Sequence, residues 1–270
     1  MAVGLGELSG AWNFRDVAEE TGIQPGRFFR SSELSRLTNE GRRRLLNLGI
    51  TDVADLRSAR EVERHGPGLV PEGVEVHLLH FHEVSALDGE APHETAFQKM
   101  MSEKPDDEDV AVAAHRFMTE EYLRFPTLGG AQRAVRQVIS LIAEGRPVIA
   151  HCFAGKDRTG FTVATVLEAI GVDHDAVMAD FLRSNAAVPQ LREHILESVR
   201  DRSETDRSET DEVITFAEAR LTDEVLGVRE DYLDASRRSI ESNYGSLRDY
   251  LAAAGVTAED VTRARTTLLG

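Results

Sequence analysis

With 270 residues and 41% hydrophobic side chains, the chain is long enough to fold as one large domain around a full core. A net charge of −16 argues against nucleic acid as a partner and against adhesion to anionic membrane surfaces. The single cysteine leaves no internal disulfide to form, and no apolar run approaches transmembrane length, so stable membrane insertion is not expected.

The opening Met1–Gly6 lacks the basic region and hydrophobic stretch of an ordinary signal peptide, which predicts a cytoplasmic protein at synthesis. Residues 10–35 read as an irregular N-terminal layer in which Trp12, Phe14, Phe28 and Phe29 pack. Arg15 reads either as the ion-pair partner of Asp16 or another acid, or as a neighbour of an anion site. Thr38 can N-cap a helix that runs to Leu48, with Leu45, Leu46 and Leu48 facing inward and Gly49 ending it. Arg42, Arg43 and Arg44 make a solvated face of that helix. Ile50–Leu56 reads as a strand. Ser58 and Glu61 then form a capping box for a short helix that His65-Gly66-Pro67 terminates. Arg57 falls at the C-terminal end of the strand, the edge at which open α/β sheets bind ligands; an ion pair with Asp55 or Glu61 is the equal alternative.

Val74–Leu79 alternates as a strand does. The histidines at 77, 80, 82 and 93 follow, but His77 and His80 would not share a strand face and no Cys joins them, so no metal ligands are assigned. Residues 83–110 interrupt the pattern with the acidic, Pro-containing run 103–109, read as a mobile loop. Helical periodicity returns from His115 to Phe125, where Phe117, Met118 and Tyr122 read as core. It resumes from Leu128 to Ala143, with Val135, Val138, Ile139 and Ile142 on one face.

Arg146–Ala150 reads as a short buried strand, and Phe161–Ile170 as a helix apolar nearly all round. Between them lies His151-Cys152-Phe153-Ala154-Gly155-Lys156-Asp157-Arg158-Thr159-Gly160. Asp173 caps a further helix through Phe181 and Leu182. Beyond Pro189 the chain is helical and charged, and Arg202–Asp206 is repeated directly as Arg207–Asp211, which reads as a solvated extension or hinge. Val213–Leu221, with Phe216 on its apolar face, reads as an amphipathic helix. Thr257 and Asp260 cap a final helix ending at Leu269.

A strand, a tight loop and the start of a core helix aim backbone N–H groups and the positive helix end at one spot. Cysteine attacks as the thiolate, and a helix N-terminus with cationic neighbours favours that form. Arg158 can fork two oxygens of a phosphate at once, while N–H groups of Phe153, Ala154, Gly155, Lys156 and Arg158 hold the third. A loose, metaphosphate-like transition state needs mainly such positioning and charge. Cys152 as nucleophile would divide hydrolysis into phosphocysteine formation and its breakdown by water, with the Thr159 hydroxyl assisting the sulfur as it leaves. A lone Cys is most often a small buried hydrophobe. Its fixed spacing to Gly155, Arg158 and Thr159, between a strand and a buried helix, favours catalysis.

The stretch His-Cys-x-x-Gly-Lys-x-Arg-Thr-Gly resembles the signature loop of the cysteine-dependent phosphatases. Lys156 resembles the loop lysine of lipid phosphatases, and Asp157-Arg158-Thr159 resembles the loop of myotubularins and Sac-type inositide phosphatases. Gly10–Ala18, Phe29–Ser35, Asp52–Ser58, Ala91–Thr95 and Tyr244–Leu247 extend the likeness over nearly the whole chain, within the mycobacterial branch of the tyrosine and dual-specificity phosphatases.

The resemblance implies one phosphatase domain over 1–270. Its fold would be α/β, with a mainly parallel central sheet flanked by helices, and a helical lid at about 190–245 over the loop. It implies phosphotyrosine, phosphoserine/threonine and phosphoinositide substrates, no cofactor, and export without an ordinary signal peptide in the service of virulence. Oligomeric state is not legible. The Trp-Pro-Asp acid loop of ordinary tyrosine phosphatases is absent, because Trp12 is followed by Asn13. Asp157, inside the loop, is therefore assigned as general acid and base; orienting Arg158 or capping the helix is its alternative role, and Glu83 and Asp88 are next in line as the acid. A poorly catalytic phospho-ligand-binding module and a rhodanese-type sulfurtransferase are the two other readings.

Overall fold

The computed structural model describes residues 8–82, 110–203 and 221–270. The expected acidic loop lies outside the described residues but for Val110, and so do His93, Glu83, Asp88, Phe216 and most of the duplicated segment.

The centre is a five-stranded sheet in the order β1-β2-β5-β3-β4. Its strands are β1 (Arg15–Asp16), β2 (Phe28–Ser31), β3 (Asp52–Asp55), β4 (Glu75–Leu78) and β5 (Val148–His151). Only β1 runs antiparallel to its neighbour. The two strands beside β5 are parallel to it and in step, so Ser31, His151 and Asp55 lie side by side at the C-terminal edge. This is the expected mainly parallel α/β architecture.

Alternation along β5 divides two cores. Val148 and Ala150 point into the larger one, with Phe28, Ala54 and Leu56 from the sheet. Ile149 points the other way, with Phe29 and Val53. Helices cover both faces, which is why β5 is buried at every position. On the larger face lie α4 (Val110–Arg124), α5 (Gly129–Ala143) and α6 (Asp157–Ala169). There Val135, Val138, Ile139 and Ile142 pack against Phe161, Val163, Val166 and Leu167. The other face is covered by α2 (Asn39–Asn47), through Leu45. Leu46, expected inside, is 52% exposed, and Leu48 is only half-buried: a nine-residue helix laid on a four-residue strand presents a single narrow stripe. Similarly, β4 is an edge strand and Leu78 stands in solvent.

Several ends fall where side-chain chemistry put them. Thr38 accepts from the Gly41 N–H at 3.2 Å. Ser58 and Glu61 cap α3 (Ala59–His65) reciprocally, and Asp173 caps α7 (His174–Arg183). Beyond these come α8 (Val188–Ser203), α9 (Asp223–Leu226), α10 (Glu230–Tyr244), α11 (Leu247–Ala253) and α12 (Ala258–Leu269), the last with a Thr257–Asp260 capping box. Val188, Leu191, Leu196, Leu221 and Leu226 form a third apolar cluster around Ala154, so α8 and α9 pack onto the loop after β5.

Candidate active site

Cys152 follows β5 at the middle of the sheet edge, 2% exposed, and α6 begins at Asp157. The loop between them is shaped by what holds its carbonyls. Glu33 N–H donates to the Phe153 carbonyl at 3.0 Å. The Asn13 side-chain amide donates to the carbonyls of Ala154 and Gly155 at 3.1 and 3.0 Å. Arg30 Nη2 reaches the Gly155 carbonyl at 2.8 Å. In a trans peptide the carbonyl and the next N–H point to opposite sides. With these carbonyls drawn back into the protein, the N–H groups of Ala154, Gly155 and Lys156 turn to the other side, where the first turn of α6 adds N–H groups without intrahelical partners. The chain closes this tightly only because Gly155 takes φ +65°; a Cβ there would lie 2.1 Å from the Ser31 carbonyl oxygen.

Behind the loop sits a buried ionic layer. Asp180, on α7, meets Arg15 Nε at 2.7 Å and Arg30 Nη1 at 2.6 Å, and Arg15 Nη1 donates to Asn13 Oδ1 at 2.6 Å. Burial, then the charge of Arg30, push the Arg15 pKa down to about 10, while Asp180 and the hydrogen bond it accepts oppose that fall, so Arg15 stays charged near neutrality. Burial would raise the Asp180 pKa, but the two guanidiniums bring it below the ordinary carboxylate range. Arg15 thus supports the loop from behind, and its acid is Asp180 rather than Asp16, which instead accepts from the N–H groups of Ala18 and Gly26. Arg57 is likewise a buried strut, paired with Asp55 at 2.7 Å and Glu33 at 2.9 Å.

At the front, Arg158 lies on Glu61 in a two-pronged pair, Nη1 to Oε2 at 2.6 Å and Nη2 to Oε1 at 2.7 Å. Burial pushes the Glu61 carboxyl up, but Arg158 and the Ser58 N–H outweigh it and hold the group well below the usual carboxylate range. Asp157 accepts from the Tyr122 hydroxyl at 3.1 Å and lies 3.3 Å from Lys156 Nζ, which also donates to the Gly227 carbonyl at 3.2 Å. Burial, then the Asp157 charge, keep Tyr122 protonated and therefore a donor. Thr159 is fully buried, and its hydroxyl makes no hydrogen bond among the described residues. His151 is buried beside Asp55, and burial lowers its pKa, which keeps the ring neutral.

The structure therefore gathers Cys152, Phe153, Ala154, Gly155, Lys156, Asp157, Arg158 and Thr159 at one loop and one helix start. A profile of the family described as the tyrosine phosphatase family matches residues 6–270. The chain belongs to the tyrosine phosphatase family. It is 55% identical to the triple specificity protein phosphatase PtpB of Mycobacterium tuberculosis, over 98% of this chain and 99% of that one. It is 30% identical to a Cupriavidus necator protein provisionally named a tyrosine-protein phosphatase, over 92% of this chain and 78% of the relative. A tyrosine-protein phosphatase of Nostoc commune is 27% identical, over 92% and 76%. This tyrosine phosphatase family member is a cysteine-dependent phosphatase with one cysteine in its sequence.

Sequence reasoning missed Asn13, Arg30 and Asp180, read Tyr122 as core, and saw Glu61 as a cap or as an ion-pair partner of Arg57. No local pattern marks them, because each meets the loop from a distant segment. Of the histidines at 77, 80, 82 and 93, the three among the described residues have separate partners. His77 binds Asp52 at 2.7 Å, His80 the Arg57 carbonyl at 2.8 Å, and His82 lies 3.6 Å from Glu121. Among the described residues no helix is long and apolar enough to cross a membrane.

Proposed function

We propose that this phosphatase hydrolyses phosphate monoesters of protein side chains and of phosphoinositides, with Cys152 as nucleophile. The observation that carries the assignment is the loop whose carbonyls are tied back while Cys152, Arg158 and the N-terminus of α6 converge. The phosphoryl group enters the concave side of the loop. Two of its oxygens take the Arg158 fork, already flattened against Glu61, and a third takes loop N–H groups. Cys152 sulfur attacks phosphorus, and the ester oxygen departs with a proton from Asp157. Asp157, then a carboxylate, takes a proton from the water that attacks the phosphocysteine. Thr159 Oγ donates to the departing sulfur. The Tyr122 hydroxyl and Lys156 fix the two oxygens of Asp157, a positioning role that the alternatives of orienting Arg158 or capping the helix do not require.

Lys156 supports the phosphoinositide part of the reading. Its ammonium sits beside the loop, 7% exposed, and can exchange Asp157 and Gly227 for a second ring phosphate. The apolar packing of α8 and α9 around Ala154 supports a cover over the site formed by this region.

The test is a kinetic panel of phosphotyrosine and phosphoserine peptides, a soluble phosphoinositide and thiosulfate with cyanide. Wild type turns over the phosphate esters and not thiosulfate. Cys152→Ser retains phosphate binding without turnover, and Lys156→Ala loses more on the phosphoinositide than on the peptide. Turnover by Cys152→Ser near wild type sinks the nucleophile. Parallel losses in Lys156→Ala remove the phosphoinositide part alone.

A further inference from the structure

Three residues from separate segments meet beside the catalytic loop: Glu33 after β2, His65 at the end of α3 and His194 on α8. Glu33 Oε1 lies 3.6 Å from His65 Nδ1 and 3.5 Å from His194 Nε2. All three donor atoms lie within 4.8 Å of one another. Glu33 is 3% exposed and His194 7%. We propose that Glu33, His65 and His194 bind a divalent transition metal of the zinc type, through one carboxylate oxygen and two imidazole nitrogens.

Two of the three ligand separations are close to those of a zinc site. Tetrahedral zinc with bonds of about 2.0–2.2 Å sets its ligand atoms roughly 3.4 Å apart. The 3.5 and 3.6 Å separations need only a small contraction to meet that value. Glu33 divides its oxygens: Oε2 accepts from Arg57 Nη1 at 2.9 Å, while Oε1 faces the two imidazoles, whose contact with it the ion would replace. The Arg57 contact orients the carboxylate, as outer partners of metal ligands do, and leaves Oε1 for the ion. Three protein ligands leave a fourth position for water.

A second grouping, Asp52, Glu75 and His77, shows the contrast. There Arg146 Nη2 sits 2.7 Å from Asp52 and 2.9 Å from Glu75, so a cation already occupies the place of the metal.

The position gives the ion a job. The Phe153 ring packs beside both imidazoles, 5.3 Å from each ring centre, and Glu33 N–H holds the Phe153 carbonyl. A bound ion ties α8 to the exit of β2 and the end of α3 across the catalytic loop. It stabilises the covered form of the site without touching the reacting atoms.

The test uses Cys152→Ser protein, which removes the thiol as a competing zinc ligand. The single tryptophan, Trp12, has its ring centre 6.3 Å from that of His194, so Co2+ in the site quenches its fluorescence. Zn2+ should reverse the quench at one equivalent per chain and raise the melting temperature. His65→Gln and His194→Gln should each weaken Zn2+ binding at least tenfold while melting, without metal, near the parent. No Zn2+ binding, or unchanged affinity in both variants, overturns the proposal. If the variants fold poorly, X-ray absorption at the zinc edge of the parent decides. Two imidazoles with oxygen ligands support the site, and any other set overturns it.

Discussion

Replacing Glu61 by Gln tests the link between a helix cap and Arg158, the arginine proposed to bind phosphate. Donors from Arg158 and Ser58 converge on the two carboxylate oxygens. Oε2 takes Arg158 Nη1 at 2.6 Å and the Ser58 N–H at 2.7 Å, and Oε1 takes Arg158 Nη2 at 2.7 Å. A glutamine has one acceptor oxygen, so its NH2 must face at least one of these donors. One charge-assisted hydrogen bond is lost, about 1.5–3 kcal/mol, and Arg158 loses its counter-charge. Breaking a buried pair outright costs about 3–5 kcal/mol; with one oxygen retained, about 2–4 kcal/mol is expected.

Urea unfolding should show that loss as a lower midpoint at unchanged slope. Turnover of an aryl phosphate should fall tenfold or more in kcat/KM, because the guanidinium is no longer held flat for two phosphate oxygens. The sign with pH follows from the depressed carboxyl. Its stabilisation is complete above the unfolded pKa of about 4.3 and is lost as pH falls below it. The gap between wild type and variant should therefore narrow on acidification below about pH 5. A variant that loses stability but keeps full kcat/KM would show that Arg158 is oriented without Glu61.

Two further outcomes follow from the loop. Asp157→Asn should slow substrates with poor leaving groups far more than a nitrophenyl phosphate, and Tyr122→Phe should shift the same ratio less, since it removes only the 3.1 Å bond; equal losses across leaving groups would return the acid role to Glu83 or Asp88. Gly155→Ala should destabilise far more than Gly49→Ala, as measured by melting. Both glycines have positive φ, a strain of about 1–2 kcal/mol for alanine, but only at Gly155 does the new Cβ meet backbone, at 2.1 Å. Similar melting of the two variants would mean that the loop relaxes around the methyl.

The sequence by itself determined the parts whose physics is local. Strand, loop and helix around Cys152 follow from a buried apolar run, a glycine and a second apolar run. Caps at Thr38, Ser58, Asp173 and Thr257 follow from side chains that reach their own backbone. The spacing of Cys152, Gly155, Arg158 and Thr159 carried the proposed chemistry, because one loop holds all four. Only the tertiary structure decided what stands around that loop. Asn13 and Arg30 hold its carbonyls from as far as 142 positions away, Asp180 pairs with Arg30 and Arg15 behind them, and nothing in their neighbours announces it. Arg57 shows the same limit: its place at a strand end fitted an ion pair and a ligand contact equally, and the pairing with Asp55 and Glu33 chose the first. Glu61 joined both levels, as a cap that its own turn dictates and as the seat of Arg158, which only folding brings to it. Local hydrogen bonds are set by spacing along the chain, whereas ionic contacts between segments depend on how the sheet and helices pack.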